Sequence, residues 1–207
     1  MDAERPSVLS ETGFGLAVLP LAVVILAFAA FIPSYIVAIA LGHVYPFWPY
    51  ISYIVAIALG HVYPFWPYIS DTGTTRPESC VFGFFLAWTG FMAAAVFYVR
   101  FKQVHLTLKG DGCCKVVNDL AFLVGLLASI GMVMVSAFQE TAVYQVHFTG
   151  AALAFGGGTV YIFMQTYLTS KLSENFNNGK MVVLRFFCGI VALIAFIYSI
   201  LIILESF

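Results

Sequence analysis

The sequence predicts an all-α fold, a polytopic bundle of five transmembrane helices, and three observations predict it. Of the 207 residues, 62% are hydrophobic and 9% charged, with a mean hydropathy of +0.98, which lies outside the range of soluble domains. Five apolar runs each reach the roughly 20 residues that a helix needs to cross about 30 Å of hydrocarbon. No segment between them is long and polar enough to build a soluble domain, so residues 1–207 read as one transmembrane domain. Backbone amides in lipid must be bonded within their own segment, which makes each run a helix.

The first run is Phe14–Leu41. Ala27-Phe28-Ala29 has the small-residue spacing of a signal-peptidase site, yet the preceding segment carries Asp2, Glu4 and Glu11 against Arg5 alone. The run also continues past a signal core, so it reads as a retained helix, bent near Pro20 and Pro33. The second run is Val81–Val99, and Thr75-Arg76-Pro77-Glu78 ahead of it fits a capping box. The third is Leu120–Phe138, with Asn118–Asp119 placed as its cap. In the fourth, Phe148–Leu168, the residues Gly150, Gly156, Gly157, Gly158, Ala151, Ala152 and Ala154 form a small-residue patch. Such a patch serves close helix packing or leaves room for an acyl chain, and spacing does not separate the two. Gln165 and Thr166 are expected at the membrane interface, and the fifth run is Met181–Leu204.

Residues Ser34–Ile51 read SYIVAIALGHVYPFWPYI, and Ser52–Ile69 repeat the same eighteen letters. The apolar part of the second copy, Ser52–Leu59, makes only about 12 Å of helix before Pro64 and Pro67 stop it, too little to span. Seven of the nine Lys and Arg residues flank two segments, Arg100–Lys115 and Ser170–Arg185. The positive-inside bias makes both segments cytoplasmic, together with the amino terminus. The second copy and the following ISDTGTTRPES then form an extracytoplasmic loop, with Tyr63, Phe65, Trp66 and Tyr68 suited to the headgroup zone.

No constellation of catalytic residues emerges. Asp71-Thr72-Gly73 has the triplet of aspartic proteases, but those enzymes need two aspartates sharing a proton and no second triplet follows. A turn through Asp71 and Gly73 is the better reading. The four histidines, His43, His61, His105 and His147, are scattered, and Cys113 and Cys114 are adjacent rather than spaced as ligands, so no metal is expected. Those two cysteines are either cytoplasmic thiols or juxtamembrane palmitoylation sites. Ionisable residues fall at helix ends, where Asp119, Glu140, Arg185 and Glu205 lie, which argues against a pump or coupled carrier. His147 and Gln139 bracket a short loop and are expected to bond to each other or to a headgroup. No basic patch beyond the topology-setting residues points to nucleic acid.

The string Ser52-Tyr53, Gly60-His61-Val62, Pro64-Phe65, Pro67 to Thr74, Pro77-Glu78-Ser79 and Phe82-Gly83 resembles the first extracytoplasmic loop of the DNA-damage-regulated autophagy modulator family. Tyr98 to Val104, Ala137-Phe138-Gln139-Glu140, and His147 with Gly150 continue the resemblance in order along the chain. It marks His61, Asp71, Gly73, Pro77, Glu78, Gln139, Glu140 and His147 as signature positions, none with a catalytic role. It implies a non-enzymatic, multi-pass protein of lysosomal or endosomal membranes that modulates autophagy, without cofactor, its partners being membrane lipids and other membrane proteins. The wider family also implies an alternative, a plasma-membrane or Golgi regulator of phosphoinositides, leaflet asymmetry or GPI anchors. Family members carry six membrane helices and one copy of the loop string, whereas this chain shows five and two. A splice form or an imperfect gene model is the expected origin of both departures, ahead of a variant whose fold tolerates them.

Overall fold

The computed structural model describes residues 8–41, 76–108, 112–172 and 179–205, and among them every regular element is helical. The helices are α1 (Val8–Ala40), α2 (Glu78–Thr107), α3 (Gly112–Ala137), α4 (Tyr144–Lys171) and α5 (Gly179–Glu205). Each contains a segment long and apolar enough to cross a membrane, in line with the five expected spans. The second copy of the repeat, with His61, Asp71 and Gly73, lies outside the described residues.

Two expected caps are corrected. Helix α2 begins at Glu78, with no side-chain cap bond and with Pro77 in the N-cap position that the expected capping box gave to Thr75. Proline's restricted φ is compatible with a helix start, and its ring offers no oxygen to cap one. Helix α3 begins at Gly112, so Asn118 sits in its second turn rather than at its end. There its Nδ2 donates to the Phe101 carbonyl of α2 at 3.0 Å. Continuing the helix through these polar residues bonds the backbone internally, and the side chain is then free to tie two helices together.

Packing follows chain order: α1 lies on α2, α2 on α3, α3 on α4 and α4 on α5. Large apolar side chains such as Phe28, Phe84, Phe91, Val183 and Ile194 point outward, as lipid allows and water does not. The buried set is mixed, with polar Ser34, Thr89, Ser129, Thr159 and Thr166 beside apolar Ala30, Phe82, Leu86 and Ala121. Most of the hydroxyls are satisfied locally. Ser34, Thr89, Thr159 and Thr166 each donate to the carbonyl four residues back, at 2.6 to 2.8 Å. In Ser34 that bond falls just after Pro33, where α1 runs on as a helix although proline has removed one backbone donor.

Among the described glycines, the tightest approach lies between α3 and α4. A Cβ built on Gly131 would lie 2.5 Å from the Gly150 carbonyl oxygen and 2.6 Å from the Ala154 nitrogen. One built on Gly150 would lie 2.8 Å from the Met134 Cβ. Of the small-residue patch read in the sequence, Gly150 and Gly157 therefore face α3, Gly156 faces Phe196 of α5, and Gly158 meets nothing within 4 Å. At this contact α4 passes through a π-helical turn, Ala152–Gly156. The wider turn changes which face of α4 meets its neighbours further along.

Candidate functional site

The antiparallel packing gathers the ends of α2, α4 and α5 that carry the basic segments. Val104 of α2, Cys114 and Ala121 of α3, Leu168 of α4 and Leu172 just past its end form one buried cluster there. Arg100, Lys102, Lys115, Lys171, Lys180 and Arg185 all sit at this end, and Arg76 alone of the described basic residues sits at the other. Lys102 and Lys171 lie over aromatic rings, Lys102 at 5.6 Å from the Tyr98 centroid and Lys171 at 5.9 Å from Tyr167. Long cationic side chains packed over rings in this way are suited to a membrane interface.

Two of the arginines turn inward. Arg100 donates from Nε to the Gln165 Oε1 at 2.9 Å and from a terminal nitrogen to the Thr169 Oγ1 at 3.0 Å. Arg185, from the second turn of α5, donates to the same Thr169 oxygen. Thr169 passes its own proton to the Gln165 carbonyl at 2.7 Å, so this one hydroxyl donates once and accepts twice, its full capacity. Gln165 and Thr169 are one helical turn apart, which puts both on the face of α4 that looks toward the arginines. Gln165 and Thr166 were expected at the interface. Both are buried within the bundle, where Gln165 bonds to Arg100 and Thr166 to the Ile162 carbonyl.

Among the described residues no carboxylate stands within ion-pair distance of Arg100 or Arg185. Two like charges that share one hydrogen-bond acceptor repel each other. A neutral hydroxyl and a neutral amide satisfy hydrogen bonds but do not cancel that charge. Beside the pair is a cavity of about 330 Å³. Leu19 and Pro20 of α1 form one wall, Val96, Val99 and Gln103 of α2 the next, and Tyr161 and Ile162 of α4 another. The space exists because α2 and α4 are joined through long side chains, Arg100 to Gln165 and the Phe97 ring to the Tyr161 ring at 4.4 Å, rather than by close backbone contact.

The signature residues that are described lie at the opposite end. His147 is 5% exposed, and its Nδ1 donates to the Phe138 carbonyl at 2.7 Å, tying the start of α4 to the end of α3. The expected partner, Gln139, is the next residue along. Its carbonyl accepts the backbone N–H groups of Ala142 and Val143 and so shapes the turn that also contains Glu140. Pro77 is exposed at the start of α2. The two adjacent cysteines separate: Cys113 is exposed, while Cys114 is 1% exposed within the Val104–Leu168 cluster, so a thioester at Cys114 would have to displace core packing. No group of His, Cys, Asp and Glu side chains suited to a metal gathers among the described residues.

Sequence reasoning missed the arginine pair. Arg100 was read as the edge of a loop and Arg185 as a topology marker, and their shared partner lies 69 and 16 residues away. The available signal was Gln165 and Thr169 at helical spacing in an otherwise apolar run, opposite two arginines at the ends of spans.

Fold and site together define a multi-pass helical membrane protein in which a few buried polar groups, Asn118, His147, Gln165 and Thr169, join one helix to another. Residues 52–206 match the Frag1/DRAM/Sfk1/Cwh43P N-terminal domain family, and the chain belongs to that family. The match begins at Ser52, so the second copy of the repeat is the one in register with the family. The chain is 39% identical over 183 residues to DNA damage-regulated autophagy modulator protein 2 of Bos taurus, covering 86% of this chain and 62% of that protein. It is 40% identical over 168 residues to DNA damage-regulated autophagy modulator protein 1 of Mus musculus, covering 79% and 62%. Modulator of macroautophagy TMEM150B of Xenopus tropicalis is 37% identical over 97 residues, covering 47% and 40%. The chain thus spans about 62% of the length of the first two relatives. No solved structure matches.

Proposed function

We propose that this chain is a non-enzymatic modulator of autophagy acting from lysosomal or endosomal membranes. The observation that carries the reading is its likeness over most of its length to proteins named as autophagy modulators in cattle and mouse. The geometry supports action through membrane and protein contacts. His147, Asn118, Gln165 and Thr169 are engaged in bonds between helices or across a turn, and none is paired as a nucleophile with a base. A modulator of this kind works by occupying a membrane and binding there, so depletion should change the rate at which autophagic cargo is degraded. The test is cargo turnover in depleted cells, with and without lysosomal inhibition, and rescue by re-expression. A changed flux that the chain restores supports the reading, and unchanged flux refutes it. A second reading, a regulator of membrane lipids at the plasma membrane or Golgi, draws support from the two arginines facing an apolar-walled cavity. It predicts altered phosphoinositide or leaflet lipid distribution with normal flux.

A further inference from the structure

We propose that the cavity between α1, α2, α4 and α5 is a binding site for the phosphate of an anionic lipid headgroup, held by Arg100 and Arg185. Three observations meet there. Two guanidinium groups converge on one neutral oxygen, and no carboxylate among the described residues balances them. An anion placed here would neutralise the pair, and guanidinium forks match phosphate oxygens in geometry. The cavity, about 330 Å³, has room for a phosphate and the first atoms attached to it.

Its walls select the source of that phosphate. Leu19, Pro20, Val96, Val99 and Ile162 offer a glycerol backbone and the tops of acyl chains an apolar surface that runs on into lipid-facing helix. A free ion would gain nothing from them. Gln103 and Tyr161 stand on the same cavity and offer it polar contacts. The site also lies at the end where the described basic residues gather, and a cluster of that kind draws anionic lipid to its own leaflet. The inference stands on this cavity alone and does not depend on a role in autophagy.

The experiment measures the unfolding temperature of the purified full chain in detergent while dioctanoyl phosphatidic acid is titrated in. Dioctanoyl phosphatidylcholine and inorganic phosphate serve as comparisons. A ligand that binds the folded state raises that temperature in proportion to its occupancy. Phosphatidic acid should give a saturable rise that phosphatidylcholine does not. Arg100→Gln and Arg185→Gln should each shift half-saturation about tenfold or more to higher concentration, as expected for losing charge-assisted bonds. Lys115→Gln, at the same end but outside the cavity, should leave it unchanged. Gln103→Glu tests the same idea with both arginines in place: a carboxylate supplied from the cavity wall should raise the unfolding temperature without lipid and abolish the response to phosphatidic acid. An equal response in the double arginine variant, or an equal loss in Lys115→Gln, overturns the site. A response to inorganic phosphate as strong as that to phosphatidic acid overturns the lipid assignment. Because the readout involves no cells, failure here is distinct from a failure of the autophagy reading.

Discussion

Gly131→Ala should destabilise the bundle far more than the same change at Gly158. An added Cβ at Gly131 meets the Gly150 carbonyl oxygen at 2.5 Å, the Ala154 nitrogen at 2.6 Å and the Leu153 Cβ at 2.8 Å. Carbon–oxygen contacts between helices normally settle at about 3.3 Å or more, so α3 and α4 must part by about 0.8 Å. Two of the three obstacles are backbone atoms, which no rotamer change removes. Forced separation of a packed contact costs about 1–3 kcal/mol. For a chain of 207 residues, about 2 kcal/mol corresponds to a fall of about 4–8 °C in unfolding temperature. Gly158 has nothing within 4 Å, so Gly158→Ala should be neutral or slightly stabilising through helix propensity. The assay is thermal unfolding of the purified chain in mild detergent, followed by the far-ultraviolet signal of the helices. Gly150→Ala should also destabilise, and the double variant should cost less than the sum, because helices already spread by one methyl accommodate the second. Equal unfolding temperatures for Gly131→Ala and Gly158→Ala would refute the claim that this glycine pair sets the α3–α4 distance.

Three further predictions use the same preparation. Asn118 donates to the Phe101 carbonyl while its buried Oδ1 has no partner, so Asn118→Leu should change stability by less than about 1 kcal/mol. Asn118→Asp should cost about 2 kcal/mol or more, since an acceptor then faces an acceptor, and unfolding temperatures compare the two. His147→Ala should lose about 1–2 kcal/mol by leaving the Phe138 carbonyl unpaired, and His147→Asn, which keeps a donor at a similar reach, should restore part of it. In single-cysteine variants of the folded chain, a maleimide should label Cys113 quickly and Cys114 only after unfolding. By the same logic, mass spectrometry of the chain from cells should place an acyl group carried by this pair on Cys113, and acylated Cys114 in folded protein would contradict the packing.

Much of the fold was legible because lipid imposes a simple rule: apolar length makes a span, and five runs became five helices. The ends were less legible. Helix α2 runs to Thr107 and α3 starts at Gly112, since polar residues such as Lys102, Gln103, Lys115 and Asn118 keep the helix going past the apolar window. For the same reason Asn118 looked like a cap but serves as a tie to α2, and Thr75 looked like a cap where Pro77 starts the helix. The close-packing role of Gly150 could be read from composition, while its partner Gly131 could not, because an isolated glycine in an apolar helix carries no periodic signal. The cavity was the least legible feature. It depends on the spacing of α2 and α4, which is set by aromatic rings and arginines meeting across 65 residues of sequence, and no local pattern encodes such a meeting.

The most direct test of the functional account is where the chain resides. A tagged full-length chain at near-native expression, imaged against lysosomal, Golgi, plasma-membrane and endoplasmic-reticulum markers, should coincide with lysosomes or endosomes. Residence at the plasma membrane or Golgi would contradict the account in favour of lipid regulation, and retention in the endoplasmic reticulum would contradict the five-helix bundle as a form that folds and matures in cells.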